Sequence, residues 1–325
     1  MRAIQIGEFG GPEVLRLVEV EAPEPGPGEV SVDVQYVGIN FADLQARSVG
    51  YRVPSLPFVP GLELSGVVRA VGEGVEGLTV GQPVAAITQG GAYADVAVVS
   101  AATVFAIPEG VDMRTAATLP TVLPTAYALV HTVGRLQGGE SVLVQAAAGG
   151  VGTVVGQVAK LAGAGAVYGV VSSESKAEFA RKVGYDDAFL TATFEEDVRR
   201  ATGGRGVDLV LDPVGGETLR RGLESLAIFG RMVSYGNASG EAPWQIGQPE
   251  LYPRGRSIAG FSILGLAAGA PEVLHEIAAA AFGLVTTGRV DLPITAEFAL
   301  TEVAEAHRLM ESRTSTGKLV LAVNP

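Results

Sequence analysis

The residues best suited to chemistry lie in one stretch, Ser141-Val-Leu-Val-Gln-Ala-Ala-Ala-Gly-Gly-Val-Gly152. The first amides of a helix have no partner inside it, and the helix dipole favours negative charge there. Small side chains let such a backbone close on a phosphate. Here a small-residue turn, Ala146 to Gly150, follows a short apolar run, Val142 to Val144, that predicts a buried strand. A helical pattern then starts near Val151 and runs to about Ala162. Strand, tight turn and helix together suit a pyrophosphate. Against the dinucleotide-binding glycine fingerprint, Ala147, Gly149 and Gly152 take the three glycine positions, and Ala147 departs from the first.

Other reactive groups are scarce. The chain has no cysteine, which excludes disulfides, thiol nucleophiles and thiolate metal sites. His131, His275 and His307 fall in helical patterns, none with a partner at ligand spacing. Glu63, in Pro60-Gly-Leu-Glu63, has no cysteine or histidine nearby and reads as a structural hydrogen-bond acceptor. No G-x-S-x-G, Walker loop or paired-carboxylate signature is present. The chemistry must therefore come from a cofactor.

The second predicted strand points to which one. NAD-binding turns usually carry Asp or Glu about 20 residues past the loop, to hold the ribose hydroxyls. Here that place is taken by Val171, followed by Ser172-Ser-Glu-Ser-Lys176. A 2′-phosphate wants donors and positive charge, so Ser172, Ser173 and Lys176 suit NADP(H). Glu174 would repel the phosphate if it pointed inward. The same serines also read as helix caps and Lys176 as a surface charge, and the two readings hold together.

These groups need a scaffold. With 325 residues, 47% apolar and 18% charged, the chain has material for about two domains. The net charge of −12 argues against nucleic acid as a partner. The N-terminus lacks a signal-peptide core, and apolar runs such as Ile258 to Ala270 are too short for a membrane span, so the expectation is a cytoplasmic protein without a membrane partner. Residues 1 to about 122 read as β-rich and barrel-like, with strands near Leu15–Val20, Glu29–Val37, Leu64–Gly72, Val80–Ile87 and Ala92–Val99. Helical spacing appears over Met113–Leu119 and Thr125–Val133. Strands near 141–145, 167–171, 207–212, 231–235 and 257–261 then alternate with helices near 151–162, 174–183, 195–201 and 216–227. That alternation implies parallel pairing through right-handed crossovers. Helices near 271–287 and 301–312 and a strand Lys318–Val323 close the chain.

Six stretches, in order, resemble one family: Gly38-Ile-Asn-Phe-Ala-Asp43, Pro57-Phe-Val-Pro-Gly-Leu-Glu63, Ala147-Ala-Gly-Gly-Val-Gly152, Asp212-Pro-Val-Gly-Gly216, Val233-Ser-Tyr-Gly-Asn-Ala238 and Gly317-Lys-Leu-Val320. The chain resembles the zinc-independent medium-chain dehydrogenases/reductases, in the quinone oxidoreductase branch. Zinc-dependent relatives carry a cysteine in the segment that here reads Asn40-Phe-Ala-Asp43, and a histidine where Leu62 stands. The resemblance implies an α/β chain in two domains. A GroES-like β-rich catalytic domain spans 1–122 and 265–325, and a Rossmann domain, a doubly wound parallel sheet binding NADPH, spans 123–264. The active site is implied in the cleft between them.

The resemblance also implies roles. Asn40 and Tyr51 are the candidate catalytic positions, Asn40 bordering the nicotinamide and Tyr51 lining the substrate pocket. Phe41, Asp43 and Gln45 border the nicotinamide, with Thr125 and Tyr127 beside the cofactor. Gly149, Gly150 and Val151 cradle the pyrophosphate; Ser172, Ser173 and Lys176 meet the 2′-phosphate. Tyr235, Gly236 and Asn237 flank the nicotinamide, and Phe261 and Ile263 continue that wall. Arg313 reaches the adenosine phosphate. Some relatives carry tyrosine in place of Gln45, and tyrosine near Thr191 against the adenosine. From the residues alone, Asn40 and Asp43 also read as a turn or cap, Tyr51 as a packed loop aromatic, and Arg313 as a helix C-terminal cation. Trp244 and Tyr252, in the loop 239–255, read as substrate contacts or as surface packing. The implied activity is hydride transfer from NADPH to a small electrophilic acceptor, a quinone. Reduction of an enone, 2-alkenal or enoyl double bond uses the same geometry. The reading of another class is an NADPH-binding protein with little turnover, crystallin-like or regulatory. A homodimer paired through Ser257–Phe261 is implied as well.

Overall fold

The computed structural model describes residues 1–242 and 245–325, so Trp244 lies outside the described residues. The chain divides into two compact units. One comprises Met1–Pro124, Leu266–Gly288 and Leu292–Pro325; the other comprises Thr125–Gly265 with Arg289–Asp291.

In the first unit, β1 (Arg2–Gln5) pairs antiparallel with β2 (Arg16–Glu19). The long β3 (Glu29–Ile39) follows, with the alternating apolar residues Val30, Val32, Val34 and Val37 all buried. It runs directly into α1 (Phe41–Val49), a helix the periodicity did not predict because its sequence, Phe-Ala-Asp-Leu-Gln-Ala-Arg-Ser-Val, is short and of mixed polarity. Its start is defined by Asn40, whose backbone N–H donates to the Asp43 carboxylate at 2.8 Å. Its end is defined by Gly50 at φ +74°, a left-handed cap. Then come β4 (Glu63–Val71), β5 (Pro83–Ile87), β6 (Val96–Ser100), β7 (Val104–Ala106) and two helices, α2 (Met113–Ala116) and α3 (Leu119–Tyr127). The chain continues past α3 as a π-helical turn, Ala128–Thr132. Pro124 inside α3 has no N–H to give to the preceding turn.

The second unit alternates strand and helix. In order these are β8 (Ser141–Gln145), α4 (Gly150–Leu161), β9 (Ala166–Val171), α5 (Glu174–Lys182), β10 (Asp187–Leu190), α6 (Phe194–Ala201), β11 (Val207–Asp212), α7 (Gly216–Glu224), β12 (Leu226–Ser234), α8 (Gln248–Leu251), β13 (Ser257–Gly260) and α9 (Ile263–Gly269). Among the described residues the strands form one parallel sheet in the order β10-β9-β8-β11-β12-β13. This is the doubly wound Rossmann arrangement, with β8 and β11 as its central pair. β10 is absent from the sequence expectation because four residues carry too little pattern. β12 starts five residues before the expected 231, because a bulge at Ile228 and Phe229 interrupts its periodicity; Phe229 stands at φ +61°.

The chain returns to the first unit with α10 (Pro271–Thr286), β14 (Ile294–Ala299), α11 (Val303–Glu311) and β15 (Lys318–Ala322). Among the described residues, its large sheet runs β14-β15-β3-β4-β5-β7, and β6 also pairs with β3. β3 serves two partners along one edge, β6 at residues 29–33 and β15 at residues 36–39. The last strand of the chain is thereby laid against the stretch that leads into α1. Valines and leucines from β3, β4, β5 and β15 and from α11 form the core of this unit, the GroES-like β domain. Among the described residues, no helix is long and apolar enough to cross a membrane.

Candidate functional site

In the Rossmann unit, the turn after β8 has the features a phosphate requires. Gly149 is the N-cap of α4, and the first bond inside the helix is that from Thr153 N–H to the Gly149 carbonyl at 2.9 Å. The amides of Gly150, Val151 and Gly152 precede it and have no acceptor within the helix. A side chain on Gly152 would stand 2.5 Å from the Ala146 carbonyl oxygen and 2.7 Å from that of Ala147, so this glycine permits the close approach of turn and helix. The departure at Ala147 has a local explanation. The strained residue of the turn is Ala146, at φ +53°, and Ala147 is fully buried beside Gly169 of β9. A side chain at Gly169 would come within 2.7 Å of the Ala147 methyl, so the missing glycine in the loop is compensated by one on the neighbouring strand. Beneath the loop, buried Tyr185 donates its hydroxyl to the Gly152 carbonyl at 2.6 Å, a support the sequence reading missed.

The other expected positions of this unit lie along the same carboxyl edge of the sheet, where doubly wound folds bind ligands. Ser172 is exposed after β9, and Ser173 is the N-cap of α5, its hydroxyl accepting from the Lys176 backbone N–H at 3.4 Å. Thr191, just past β10, donates its hydroxyl to the Val171 carbonyl at 3.0 Å and so stands beside the serines. After β11, Asp212 accepts the amides of Val214 and Gly215, each at 2.7 Å. Burial raises its carboxyl to about 6, against the lowering effect of those two amides. Tyr235 N–H donates to the Asp212 carbonyl, and Ala238 N–H to the Pro213 carbonyl, so the loops after β11 and β12 are knitted together. Gly236 is required there, since a side chain would meet the Pro213 carbonyl oxygen at 2.7 Å. Asn237 donates to the Glu241 carbonyl and accepts from Ser239. Phe261 N–H bonds to the Ser234 carbonyl, and Ile263 opens α9. Thr125 and Tyr127 sit on the last turn of α3; Thr125 is buried, and the Tyr127 ring lies against that of His131, centroids 4.4 Å apart and planes tilted by 39°.

In the GroES-like unit the expected positions gather at α1, around a buried polar cluster. Glu63, the first residue of β4, is 0% exposed, and the side chain of Lys318, the first residue of β15, is 4% exposed. They are paired at 2.7 Å. Lys318 Nζ also donates to the Ile39 carbonyl at 2.8 Å and to Asn40 Oδ1 at 3.0 Å, so its three protons are all placed. Glu63 Oε1 further accepts from Asn40 Nδ2 at 3.0 Å, and Oε2 accepts from the Thr121 amide at 3.0 Å, in the first turn of α3. The carboxylate occupies space left by Gly38, where a side chain would lie 2.5 Å from Glu63 Oε1. Glu63 is thus the hydrogen-bond acceptor its sequence context indicated. Lys318 and Thr121 were missed; the available signal was a lysine opening the apolar run Lys318-Leu-Val-Leu-Ala322.

Asp43 adds a second layer. It is fully buried, and burial lifts its carboxyl to about 7, with Glu63 pushing the same way and Lys318 and the Asn40 amide opposing. Behind it, the Tyr93 hydroxyl lies 3.0 Å from His307 Nε2, and buried Arg47 forms an ion pair with Glu311 of α11. Burial, reinforced by Arg47, holds His307 down at about 3, so it is neutral at physiological pH. Phe41 and Tyr51 are exposed at the two ends of α1, and Gln45 lies between them. Arg313 is exposed just past α11, at φ +57°. The structure thus brings Asn40, Phe41, Asp43, Gln45 and Tyr51 together in one unit, and the positions from Gly149 to Ile263 along one sheet edge in the other. Among the described residues, no group of three or more His, Cys, Asp or Glu is placed to hold a metal ion.

Comparison with known proteins agrees with both halves. Residues 26–109 match the family model of the alcohol dehydrogenase GroES-like domain, and residues 150–279 that of zinc-binding dehydrogenases. The chain is 37% identical to a quinone oxidoreductase of Pseudomonas aeruginosa, over 98% of this chain and 99% of that protein. Among solved structures, the Escherichia coli quinone oxidoreductase complexed with NADPH aligns with a TM-score of 0.93 at 32% identity, covering 99% of this chain and all of the other. A 2-haloacrylate reductase aligns with a TM-score of 0.86 at 34% identity, over the whole of both chains.

Proposed function

We propose that this chain, which belongs to the medium-chain dehydrogenase/reductase family and to its quinone oxidoreductase branch, reduces a quinone with NADPH. It is an NADPH-dependent oxidoreductase by its family, and the quinone is our assignment of the acceptor. The observation that carries the reading is the phosphate cradle at Gly149–Gly152, with no carboxylate at the end of β9 to hold an unphosphorylated ribose.

The residues present fit the cofactor. Three amides at the start of α4 have no acceptor within the helix and are available to an anion, and Gly152 lets the turn pack closely against them. Ser172, Ser173 and Lys176, at the start of α5, supply hydroxyls and a cation for the 2′-phosphate. Gly236 and its neighbours Tyr235 and Asn237 form a wall beside the nicotinamide, continued by Phe261 and Ile263. Thr125, Tyr127 and Thr191 line the cofactor, and Arg313 meets its adenosine phosphate. Asn40, Phe41, Asp43 and Gln45 border the nicotinamide, and Tyr51 lines the acceptor pocket. When bound, NADPH supplies the hydride. The chain's share is to orient the acceptor and keep water from the reacting atoms. We place the protein in the cytoplasm as a homodimer paired through β13.

Similarity to a 2-haloacrylate reductase favours a second reading, reduction of an activated carbon–carbon double bond. Steady-state oxidation of NADPH against a panel of quinones and enones separates the two. Faster turnover with quinones is expected. Tight NADPH binding with no turnover on any acceptor would overturn both in favour of a binding protein.

A further inference from the structure

We infer that Glu63 and Lys318 are positioning residues for the reduction, their ion pair fixing Asn40 and the first turns of α1 and α3 against one another. The inference rests on the function proposed above, in which α1 and α3 carry Asn40, Phe41, Asp43, Gln45, Thr125 and Tyr127 beside the cofactor.

The hydrogen-bond inventory of Asn40 is the starting point. Its Nδ2 donates to the Gly38 carbonyl at 3.2 Å and to Glu63 Oε1 at 3.0 Å; its Oδ1 accepts from Thr121 Oγ1 at 3.2 Å and from Lys318 Nζ at 3.0 Å. A side-chain amide has two protons and two lone pairs, and all four are used within the chain. Asn40 can offer a ligand no further strong bond without giving one of these up. What it contributes is a place: it ends β3, begins α1 and is held from both sides by the pair.

The pair is an unlikely choice for stability alone. Two buried charges lose their hydration, and an apolar pair of the same volume would hold the gap as firmly or more so. What charges add is direction. Lys318 draws together the Ile39 carbonyl, the Asn40 amide oxygen and Glu63, and Glu63 passes the constraint on to the Thr121 amide at the start of α3. A carboxylate at a helix N-terminus is also favoured by the helix dipole. Four separate elements, β15, the end of β3, β4 and α3, are set to hydrogen-bond precision where α1 begins. Hydride transfer depends steeply on such placement, since an error of about 1 Å can cost about a hundredfold in rate.

The test uses Glu63→Gln/Lys318→Met, which removes both charges together, in the full-length protein. The expected result is a folded enzyme whose NADPH dissociation constant, read by nucleotide fluorescence, is unchanged, because the phosphate cradle lies on other residues. Its kcat should fall about ten- to a hundredfold. Hydrogen exchange at the amides of 41–45 and 119–123 should quicken. Exchange as slow as in the wild type, with kcat within about twofold, would overturn the inference. If the double variant does not fold, Glu63→Asp keeps both charges and shortens the carboxylate's reach to Lys318 and the Thr121 amide, and the same readouts should move the same way by less; unmoved readouts overturn the inference there too. If the wild type reduces no acceptor, the proposed function falls, and exchange at α1 and α3 alone then decides whether the pair positions them.

Discussion

The two regions that carry the proposed chemistry are built from opposite materials. The cradle after β8 is almost all backbone: amides, an N-cap glycine and room made by absent side chains at Gly149, Gly152 and Gly169. The cluster at the start of α1 is almost all side chain: a buried carboxylate, a buried ammonium and an amide with every position used. In the function proposed above, the first would meet an anion with partial charges that cost nothing to bury, because the helix already owns them. The second holds formal charges away from water and must satisfy each of them. One region is thus vulnerable to added atoms and the other to removed ones.

The sharpest contrast comes from one change in each region. Lys318→Met leaves the fully buried Glu63 carboxylate without its cation, so a loss of about 3–5 kcal/mol is expected in urea unfolding, more than Glu63→Gln/Lys318→Met loses. A single variant as stable as the double would break the comparison. Gly152→Val puts a side chain within 2.5 Å of a carbonyl. It should weaken NADPH binding by at least about a hundredfold, about 2.7 kcal/mol, measured by titration of nucleotide fluorescence. Unchanged affinity would mean the cradle lies elsewhere.

Smaller effects sharpen the same line. Lys176→Ala should raise the KM for NADPH about tenfold while leaving that for NADH nearly untouched; equal effects would remove the 2′-phosphate from α5. In the side-chain region, Asp43 has a folded value of about 7 against 3.8 for a free carboxyl. An acid raised on folding stabilises most while protonated in both states. Its contribution is therefore full below pH 3.8 and lost as pH climbs to about 7. Thermal melts of wild type and Asp43→Asn should run parallel below about pH 3.8, and the wild type should lose stability relative to the non-titrating variant as pH rises to about 7. A pH-independent difference would show that the carboxyl is ionised in the fold. Smallest is Ser173→Ala, which removes a long cap bond of 3.4 Å and should cost about 0.5–1 kcal/mol of stability.

The comparison also explains what could be read in advance. The strand, turn and helix at 141–161 are contiguous, so their spacing displays them directly. The strand–helix alternation over 141–260 was legible for the same reason, except β10, whose four residues Asp187-Ala-Phe-Leu carry little periodicity. α1 was not legible: its boundaries are made by a cap, Asn40 with Asp43, and by Gly50, rather than by an apolar stripe. The position of Glu63 in its motif suggested an acceptor, but its principal partner is 255 residues away.

By itself, the sequence determined the α/β class, the Rossmann loop, the family and the cofactor type, because each depends on local spacing or on the absence of a residue type. Tertiary structure alone decided that Ala147 is tolerated through Gly169, that Lys318 meets Glu63, and that Asn40 spends its whole hydrogen-bonding capacity inside the protein. The physical reason is the same in each case. Room and charge compensation are properties of what lies across a gap, and only the sheet registers of β8 with β9, and of β3 with β15 and β4, bring those residues to its two sides.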